Sequence, residues 1–402
     1  MISLDNFKFI SKEKIAGKTV ILRADLNSTV EAGKLIPGPK LKKHADEIKK
    51  LSDEGAKLIV ISHQGRKNSD DFIELKQHRR EIEKLIKKRI QFSDWKNKKE
   101  MEKKIKGMKK GDVLLMGNSR FLEYECEELS PKEHAAKEEI KTIANLADFF
   151  VVDALSIAHR SHATVVGFIP LLPSYIGPYL EKELRALKEL KPNNNVLLLG
   201  GMKPADSLKV IKSALEEDRA SKVLLGGILG ELALKALGYS LGKKDMFIEE
   251  KGFLPLVEEF EALFAKHKDR LVVPVDFAIE RNGKREILLV KDLPVEYNIY
   301  DIGPKTIEEF SKAIKEANTV VFNGPLGRFE DERFAEGTKK VVDAIVNSNC
   351  FSLIGGGDTL TCLQQLGFKE EQFSHVSLAG KALLGFLSGK KLIALTVLES
   401  YD

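Results

Sequence analysis

The sequence predicts an α/β protein with two doubly wound parallel-sheet domains joined by a hinge helix. Short apolar runs rich in β-branched residues alternate with longer segments of helical periodicity along the chain, which is typical of parallel sheets covered by helices on both faces. These runs form two sets of about five, and a chain of 402 residues is long enough for two hydrophobic cores. We therefore expect two α/β domains.

The expected strands follow the apolar runs in chain order. In the first half they are Thr19–Leu22, Lys57–Ile61, Arg89–Phe92, Val113–Met116 and Phe149–Val152, and in the second half Val196–Leu199, Val223–Leu225, Leu271–Val275, Thr319–Phe322 and Phe351–Ile354. Between the halves, prolines precede a periodic segment, Leu180–Leu190, which Lys191–Asn195 ends. We expect domains over 1–178 and 193–387, an interdomain helix over 179–192, and a tail, 388–402, that packs back near the first domain.

Composition is that of a soluble globular protein, with 43% hydrophobic and 31% charged residues and a net charge of +5. No apolar run reaches the roughly 20 residues of a membrane span, and the N-terminus does not resemble a signal peptide. The basic segment Lys96–Lys110 is interrupted by acids and indicates the solvated face of a helix rather than a nucleic-acid site. Three scattered cysteines fit a reducing compartment. We expect a cytoplasmic monomer without nucleic-acid or membrane partners.

Arginines and histidines follow the predicted strands of the first half. In open α/β sheets, ligands bind beyond the carboxyl ends of the strands, and arginine binds phosphate or carboxylate through paired N–H groups. Aspartate and asparagine among them are suited to hydroxyl groups. The first half is therefore predicted to bind a small anion through Arg23, Asp25, Asn27, His63, Arg66, Arg120, His159 and Arg160.

Glycines follow the predicted strands of the second half. Glycine lets backbone N–H groups approach phosphates at helix N-termini. The predicted nucleotide-binding residues are Gly200, Gly201, Lys203, Gly226, Gly227, Asn323, Pro325, Gly355, Gly356, Gly357, Asp358 and Thr359. Lys203 would offer a charge to a terminal phosphate and Asp358 would hold Mg²⁺. Neither a P-loop nor a dinucleotide-binding fingerprint occurs. A kinase needs one half that binds a small anion and one half that binds a polyphosphate. Closure of the two halves on each other would exclude water from the reaction.

The motifs resemble those of phosphoglycerate kinases, particularly the archaeal branch, in unbroken order from Ile15 to about Leu392. Leu22–Asn27 is similar to the family's Arg-Val-Asp-Phe-Asn signature, and Ser62–Arg66 to Ser-His-Leu-Gly-Arg. In the second half, Leu199–Lys203, Asn323–Pro325 with Glu330, and Ile354–Thr359 resemble the lysine, nucleotide and metal motifs. The resemblance implies reversible phosphoryl transfer between 1,3-bisphosphoglycerate with ADP and 3-phosphoglycerate with MgATP. It also implies that Glu330 faces nucleotide.

The chain departs from the family pattern at Val152, where the family has asparagine, at Ser207, where many members have a second lysine, and at three further places. The family's catalytic arginine is replaced by Lys40, which keeps the charge but loses the two-pronged guanidinium. The Thr-Gly-Gly-Gly segment is Leu378–Lys381. We expect Lys381 to act beside Lys203 and Lys40 on the phosphoryl group; the alternatives are that it points to solvent or fills the cradle and blocks phosphate. Phe-Gly-Thr or Phe-Ala-Thr is Leu155-Ser156-Ile157. Three interpretations remain: an active phosphoglycerate kinase, a paralogue that phosphorylates another small acid, and a catalytically weak ligand-binding relative. Lys203 and Asp358 favour an enzyme.

Overall fold

Two compact units make up the chain in the computed structural model, which describes residues 4–190 and 193–401 apart from the side chains of Lys12 and Lys381. The first unit contains the chain up to Arg185 together with residues from Lys391 onward, and the second runs from Ala186 to Lys390. The predicted α/β class with two parallel sheets is confirmed.

The strands alternate with helices in both units. The strands are β1 Thr19–Arg23, β2 Thr29–Glu31, β3 Lys34–Ile36, β4 Lys57–Ile61, β5 Ile90–Ser93, β6 Val113–Met116, β7 Phe149–Val152, β8 Ser174–Ile176, β9 Asn195–Leu199, β10 Lys222–Leu225, β11 Leu271–Val272, β12 Asp276–Arg281, β13 Lys284–Leu289, β14 Asn298–Ile302, β15 Thr319–Asn323, β16 Phe351–Gly355 and β17 His375–Ser377. The helices are α1 Pro39–Asp53, α2 Lys76–Ile86, α3 Lys98–Lys106, α4 Pro131–Ala135, α5 Glu138–Ala144, α6 Ala163–Val166, α7 Pro178–Lys188, α8 Pro204–Glu216, α9 Gly227–Ala236, α10 Lys243–Glu250, α11 Leu254–His267, α12 Pro304–Glu316, α13 Glu336–Val346, α14 Gly357–Gln365, α15 Lys381–Leu387 and α16 Ile393–Ser400.

The sheet of the first unit has six parallel strands in the order β5-β6-β4-β1-β7-β8. Its central strands are buried along nearly their whole length because helices cover both faces. Helix α1, for example, buries Leu41, Ala45 and Ile48 at helical spacing. The chain runs from β1 to β4 on one side and later to β7 on the other, so a crevice opens at the carboxyl ends of these strands.

The second unit repeats this plan in the order β11-β10-β9-β15-β16-β17, again with parallel strands. Here the connections leave β9 toward β10 and return beside it as β15, which places the crevice between β9 and β15. The loops that follow β9, β10, β15 and β16 therefore meet at one edge of the sheet.

The sequence analysis missed a three-stranded antiparallel sheet, β13-β12-β14, in the second unit. The predicted strand Leu271–Val275 ends at Val272, and Asp276 begins β12 instead of following a strand. The Asp276 carboxylate accepts bonds from the backbone of Lys305 and Thr306, so it caps α12. Proline and charged residues interrupt the apolar pattern of this region, which hides the strand alternation.

Residues from Lys391 onward belong to the first unit, and the backbone N–H of Ala394 donates to the carbonyl of Ala158 at 2.9 Å. The division between the units falls inside α7, whose first residues Tyr179 and Leu180 donate their backbone N–H groups to Asp153. Asp153 thus caps a helix. Among the described residues no helix combines the length and apolar character needed to cross a bilayer.

Candidate active site

Four neighbouring strands of the first unit end in the predicted anion-binding residues. The strands lie in the order β6-β4-β1-β7, so the loops that carry Arg120, Arg66, Asp25 and Arg160 emerge side by side. Adjacent parallel strands bring their carboxyl ends to one edge of the sheet. The fold thus places these four side chains at the same edge.

The loop of Arg66 is fixed by hydrogen bonds to three neighbouring segments. The amide of Asn118 bonds both backbone groups of Gln64, donating to its carbonyl at 2.7 Å and accepting from its N–H at 3.1 Å. From α2, His78 Nε2 donates to Gln64 Oε1 at 3.0 Å, and Asn27 Oδ1 accepts from the N–H of Gly65 at 3.1 Å. Asn27 therefore helps to shape this loop.

Arg66, Arg120, Arg160 and His162 line one cavity of about 720 Å³, together with Lys67, Lys96 and Cys126. Burial lowers the pKa of Arg160, and repulsion from Arg120 and Arg66 lowers it further. Burial also lowers the pKa of His162 to about 3, with Arg160 adding to the effect, so this imidazole is neutral at pH 7. Five cationic side chains line the cavity against one carboxylate, that of Glu123, which leaves a space suited to an anion.

Arg23 lies beneath this cavity rather than on its wall, because none of its surface is exposed. Its guanidinium donates to Thr164 Oγ1 at 2.8 Å and to the carbonyl of Ala24 at 2.6 Å, and it lies 3.7 Å from the buried Glu125. One of its nitrogens is 3.4 Å from His63 Nδ1. Burial lowers the pKa of His63 well below its usual range, partly opposed by Asp25. Arg23 therefore touches the site through His63.

Asp25 holds a second group of predicted residues together. Its Oδ2 accepts from Lys40 Nζ at 2.7 Å and from Ser156 Oγ at 2.5 Å, and its Oδ1 accepts from the N–H of Asn27 at 3.1 Å. Burial opposes its ionisation, but Lys40 and His63 outweigh burial and hold the pKa of Asp25 far below the usual range. Asp25 is thus an anion at every physiological pH. His159 sits beside Arg160, whose Nε donates to His159 Nε2 at 3.2 Å.

The glycine loops of the second unit are held against one another by backbone bonds. Gly200 donates to the carbonyl of Asn323 at 3.0 Å, and Gly201 donates to that of Pro325 at 2.7 Å. Any Cβ at Gly200 would clash with the Pro325 carbonyl, so this approach requires glycine. The N–H of Gly324 donates to Thr359 Oγ1 at 2.7 Å. The loops therefore form one rigid edge.

Two helices begin at this edge with their backbone N–H groups free of side-chain caps. Gly226 precedes α9, and Gly356 precedes α14 with φ of +94°. A Cβ at Gly357 would meet no heavy atom within 4 Å, so the space in front of α14 is open. Nearby, the buried Nδ2 of Asn323 has no hydrogen-bond partner among the described residues. Such donors at a helix start suit phosphate oxygens.

Lys203 and Asp358 face each other across this open edge. Lys203 Nζ lies 2.7 Å from Asp358 Oδ2, with 69% and 65% of the two side chains exposed. Both charged groups are therefore accessible to a ligand. Lys381 is the first residue of α15, but its side chain lies outside the described part of the structure, and its predicted role stays a prediction.

The donor set of this edge fits a Mg²⁺–nucleotide. Mg²⁺ usually takes one or two carboxylates and completes its shell with phosphate oxygens and water. Asp358 supplies an exposed carboxylate in the first turn of α14, next to the free Nδ2 of Asn323. Among the described residues there is no group of three or more His, Cys, Asp or Glu side chains that could hold a metal ion.

A cavity of about 670 Å³ adjoins the glycine loops. It contains the predicted residues Gly201, Gly227, Pro325 and Glu330, whereas Lys203, Asn323, Gly355–Gly357, Asp358 and Thr359 lie outside its lining. Sequence reasoning missed five further residues of its wall, namely Glu231, Lys244, Phe247, Phe277 and Tyr300. These residues come from α9, α10 and the unpredicted antiparallel sheet, so no motif after a predicted strand could reveal them.

Comparison with known proteins gives one consistent result. The family "Phosphoglycerate kinase" matches residues 10–390 of this chain. The phosphoglycerate kinase of Methanothermobacter thermautotrophicus is 36% identical over 399 residues, covering 98% of this chain and 97% of that protein. That of Archaeoglobus fulgidus is 37% identical over 388 residues, covering 96% and 94%.

Solved structures agree. The crystal structure of phosphoglycerate kinase from Pyrococcus horikoshii OT3 matches with a TM-score of 0.89 and 33% identity, covering 98% of this chain and 99% of that one. The enzyme from Coxiella burnetii matches with a TM-score of 0.82 and 28% identity over 98% and 99%. The resemblance predicted from the motifs is confirmed. The chain belongs to the phosphoglycerate kinase family.

Proposed function

We propose that the chain catalyses reversible phosphoryl transfer between MgATP and the carboxyl group of 3-phosphoglycerate, yielding ADP and 1,3-bisphosphoglycerate. The observation that carries the proposal is the pairing of two kinds of site in one chain. One unit has an arginine-lined cavity, and the other has glycine loops and helix starts with Lys203 and Asp358 beside them. Family membership supports the same reaction.

On the acid side, the arginines would bind the ends of the substrate. Arg66, Arg120 and Arg160 line the cavity and offer paired N–H groups to phosphate or carboxylate oxygens. Asp25, with an acceptor site left on Oδ1, would take the substrate hydroxyl. His63 and Arg23 lie behind these groups and would fix their positions, with His159 and Asn27 bracing neighbouring loops.

On the nucleotide side, the loops at Gly200, Gly226 and Gly355 would let backbone N–H groups approach the phosphates. The cavity that Phe247, Phe277 and Tyr300 line offers apolar surface to a base, and Glu330 on its wall offers acceptors to the ribose. Asp358 would hold Mg²⁺, which when bound neutralises phosphate charge. Asn323 and Thr359 would position the phosphate chain.

Transfer of a phosphoryl group requires positioning and charge neutralisation more than covalent catalysis. Lys203 is exposed and would neutralise the transferred group, giving up Asp358 to the metal. Lys40 would present its ammonium from the acid side, and Lys381 is proposed as a third cation. We also propose a cytoplasmic monomer that acts on small molecules only.

A substrate panel tests the proposal against a paralogue that phosphorylates another acid. Purified protein is assayed with MgATP and 3-phosphoglycerate, glycerate, glycerol 3-phosphate or 2-phosphoglycerate, and ADP release is followed. We expect 3-phosphoglycerate to give the highest kcat/KM, since glycerate and glycerol 3-phosphate each lack one of its three polar groups. In 2-phosphoglycerate the phosphate and the hydroxyl exchange places, so the phosphate no longer lies at the far end from the carboxylate. Preference for another acid of the panel would contradict the proposal and favour the paralogue. A Lys203→Ala protein purified in parallel controls for contaminating kinases.

A further inference from the structure

Two of the departures from the family motifs meet at one carboxylate oxygen. Lys40 stands where the family has arginine, and Ser156 stands where it has glycine or alanine, which carry no hydroxyl. The two residues are 116 positions apart in the sequence. In the structure both donate to Oδ2 of Asp25, Lys40 at 2.7 Å and Ser156 at 2.5 Å. Lys40 and Ser156 thus donate to the same atom of Asp25.

The acceptor sites of Asp25 are almost completely used. An ionised carboxylate offers about four lone-pair sites, two on each oxygen. Lys40 and Ser156 occupy those of Oδ2, and the N–H of Asn27 occupies one on Oδ1 at 3.1 Å. Only 3% of the Asp25 side chain is exposed, so water cannot easily replace a missing donor. Loss of either donor would leave a buried lone pair unsatisfied.

Lys40 alone would hold this carboxylate less firmly than an arginine. It lies in the first turn of α1, where the helix dipole disfavours a cation, and its ammonium makes one point contact where a guanidinium makes two parallel bonds. Ser156 arrives from a different segment, the short 3-10 helix Leu155–Ile157 after β7. It therefore supplies a second bond from a second direction.

We propose that Ser156 is a positioning residue that, together with Lys40, fixes the Asp25 carboxylate for catalysis. Ser156 does not touch substrate in this proposal. It holds Asp25 so that the free site on Oδ1 faces the substrate hydroxyl and Lys40 keeps its ammonium toward the site. The expected effect of Ser156 on turnover rests on the proposed function.

A double-mutant cycle tests the proposal with Ser156→Ala, Lys40→Arg and the double variant. Ser156→Ala should lower kcat about tenfold, the order expected for one hydrogen bond to a charged group, with KM for ATP unchanged. In the Ser156→Ala background, Lys40→Arg should restore kcat to within about threefold of the parent, because the guanidinium supplies the second bond. Ser174→Ala is the control, since the Ser174 hydroxyl donates only to the nearby Leu172 carbonyl.

The same four proteins are unfolded in urea, which gives a readout that needs no activity. The proposal predicts that the two substitutions are also non-additive in their effects on the unfolding midpoint. The midpoint of the double variant should be higher than the sum of the two single-variant changes would give. Additive effects in both measurements would overturn it, as would a Ser156→Ala protein that arginine at position 40 does not rescue. If the parent protein fails to turn over 3-phosphoglycerate, the proposed function fails, and the unfolding cycle still decides the role of Ser156.

Discussion

Single residues of the first unit show a conflict that a ligand would relieve. Arg66, Arg120 and Arg160 surround one cavity, and the pKa of Arg160 is lowered by burial and then by the charge of Arg120. Like charges held together destabilise the unliganded protein. A bound anion would reverse the sign of this interaction, so binding strength is obtained at the expense of stability.

Arg160→Ala should therefore affect binding and stability in opposite ways. Affinity for 3-phosphoglycerate, measured by calorimetry, should fall by about 1.5–3 kcal/mol, the range for hydrogen bonds to charged groups. The free energy of unfolding without ligand should stay level or rise. Nucleotide affinity should not change. Arg80→Ala, an exposed arginine on α2, is the control. Equal loss of acid and nucleotide affinity would remove Arg160 from the acid site.

Asp358→Asn tests the metal side at the same scale. The Lys203–Asp358 pair is exposed, so its loss should change the free energy of unfolding by less than about 1 kcal/mol. Mg-dependent nucleotide binding should fall strongly, because a neutral amide is a poor Mg²⁺ ligand, while acid affinity stays near normal. Asp292→Asn, an exposed carboxylate of the same unit, is the control. Nucleotide binding that responds to Mg²⁺ as in the parent would exclude Asp358.

At the level of elements, α2 holds a loop of the acid site through one imidazole. His78 is fully buried and donates from Nε2 to Gln64 Oε1, while its Nδ1 has no partner among the described residues. Protonating Nδ1 would bury an unsatisfied cation, and burial lowers the pKa of His78 to about 4. Burial therefore keeps His78 neutral in the folded protein, and its Nε2–H helps to anchor the loop that carries Arg66.

The pH dependence of stability follows from this pKa. Between about pH 6.5 and pH 4, His78 is protonated in the unfolded chain but neutral in the folded chain. Acid therefore favours unfolding across that interval. The free energy of unfolding should fall there with a contribution of at most about 1.4 kcal/mol per pH unit. His78→Gln, which keeps a donor for Gln64 but cannot titrate, should make the slope shallower. His267→Gln is the control. A slope for His78→Gln that equals the slopes of the parent and of His267→Gln would contradict this prediction.

The start of α14 gives a second prediction for an element, from two adjacent glycines. Gly356 has φ of +94°, where a side chain is strained, so Gly356→Ala should cost about 1–3 kcal/mol of unfolding free energy. Gly357→Ala should leave stability nearly unchanged, since its Cβ meets nothing within 4 Å. It should nevertheless weaken ATP binding, because the methyl group enters the space proposed for phosphate. Unaltered ATP affinity in Gly357→Ala, measured by calorimetry, would move the phosphates away from α14.

For the whole molecule, sequence patterns predicted the parallel sheets better than the remaining structure. Strands such as Lys57–Ile61 and Val113–Met116 were predicted to the residue, because fully buried parallel strands appear as continuous apolar runs. The antiparallel sheet over 276–302 was missed, since charged and polar residues interrupt the apolar pattern of its strands. The sequence analysis therefore also missed Phe277 and Tyr300, which belong to this sheet and line the cavity of the second unit. Contacts between distant residues, such as that of Ser156 with Asp25, leave no local pattern in the sequence.

The candidate site residues also divide into those that the sequence could predict and those that it could not. Residues at strand ends, such as Arg66 and Asp358, could be predicted because the fold class fixes where strand ends meet. The burial of Arg23 could not, since an arginine at a strand end looks the same in sequence whether it faces ligand or a buried Glu125. Distinguishing the two requires the positions of Thr164 and Glu125, which follow from packing.

Direct detection of the acyl phosphate is the most direct test of a reaction that uses both units. The protein is mixed with MgATP and 3-phosphoglycerate, and ³¹P NMR follows the signals while hydroxylamine traps any acyl phosphate as hydroxamate. We predict that ADP and hydroxamate form in equal amounts, and that Arg160→Ala and Asp358→Asn each reduce both. ADP without hydroxamate, or hydroxamate formed as fast by both variants as by the parent, would contradict phosphoryl transfer to the carboxyl group at these sites.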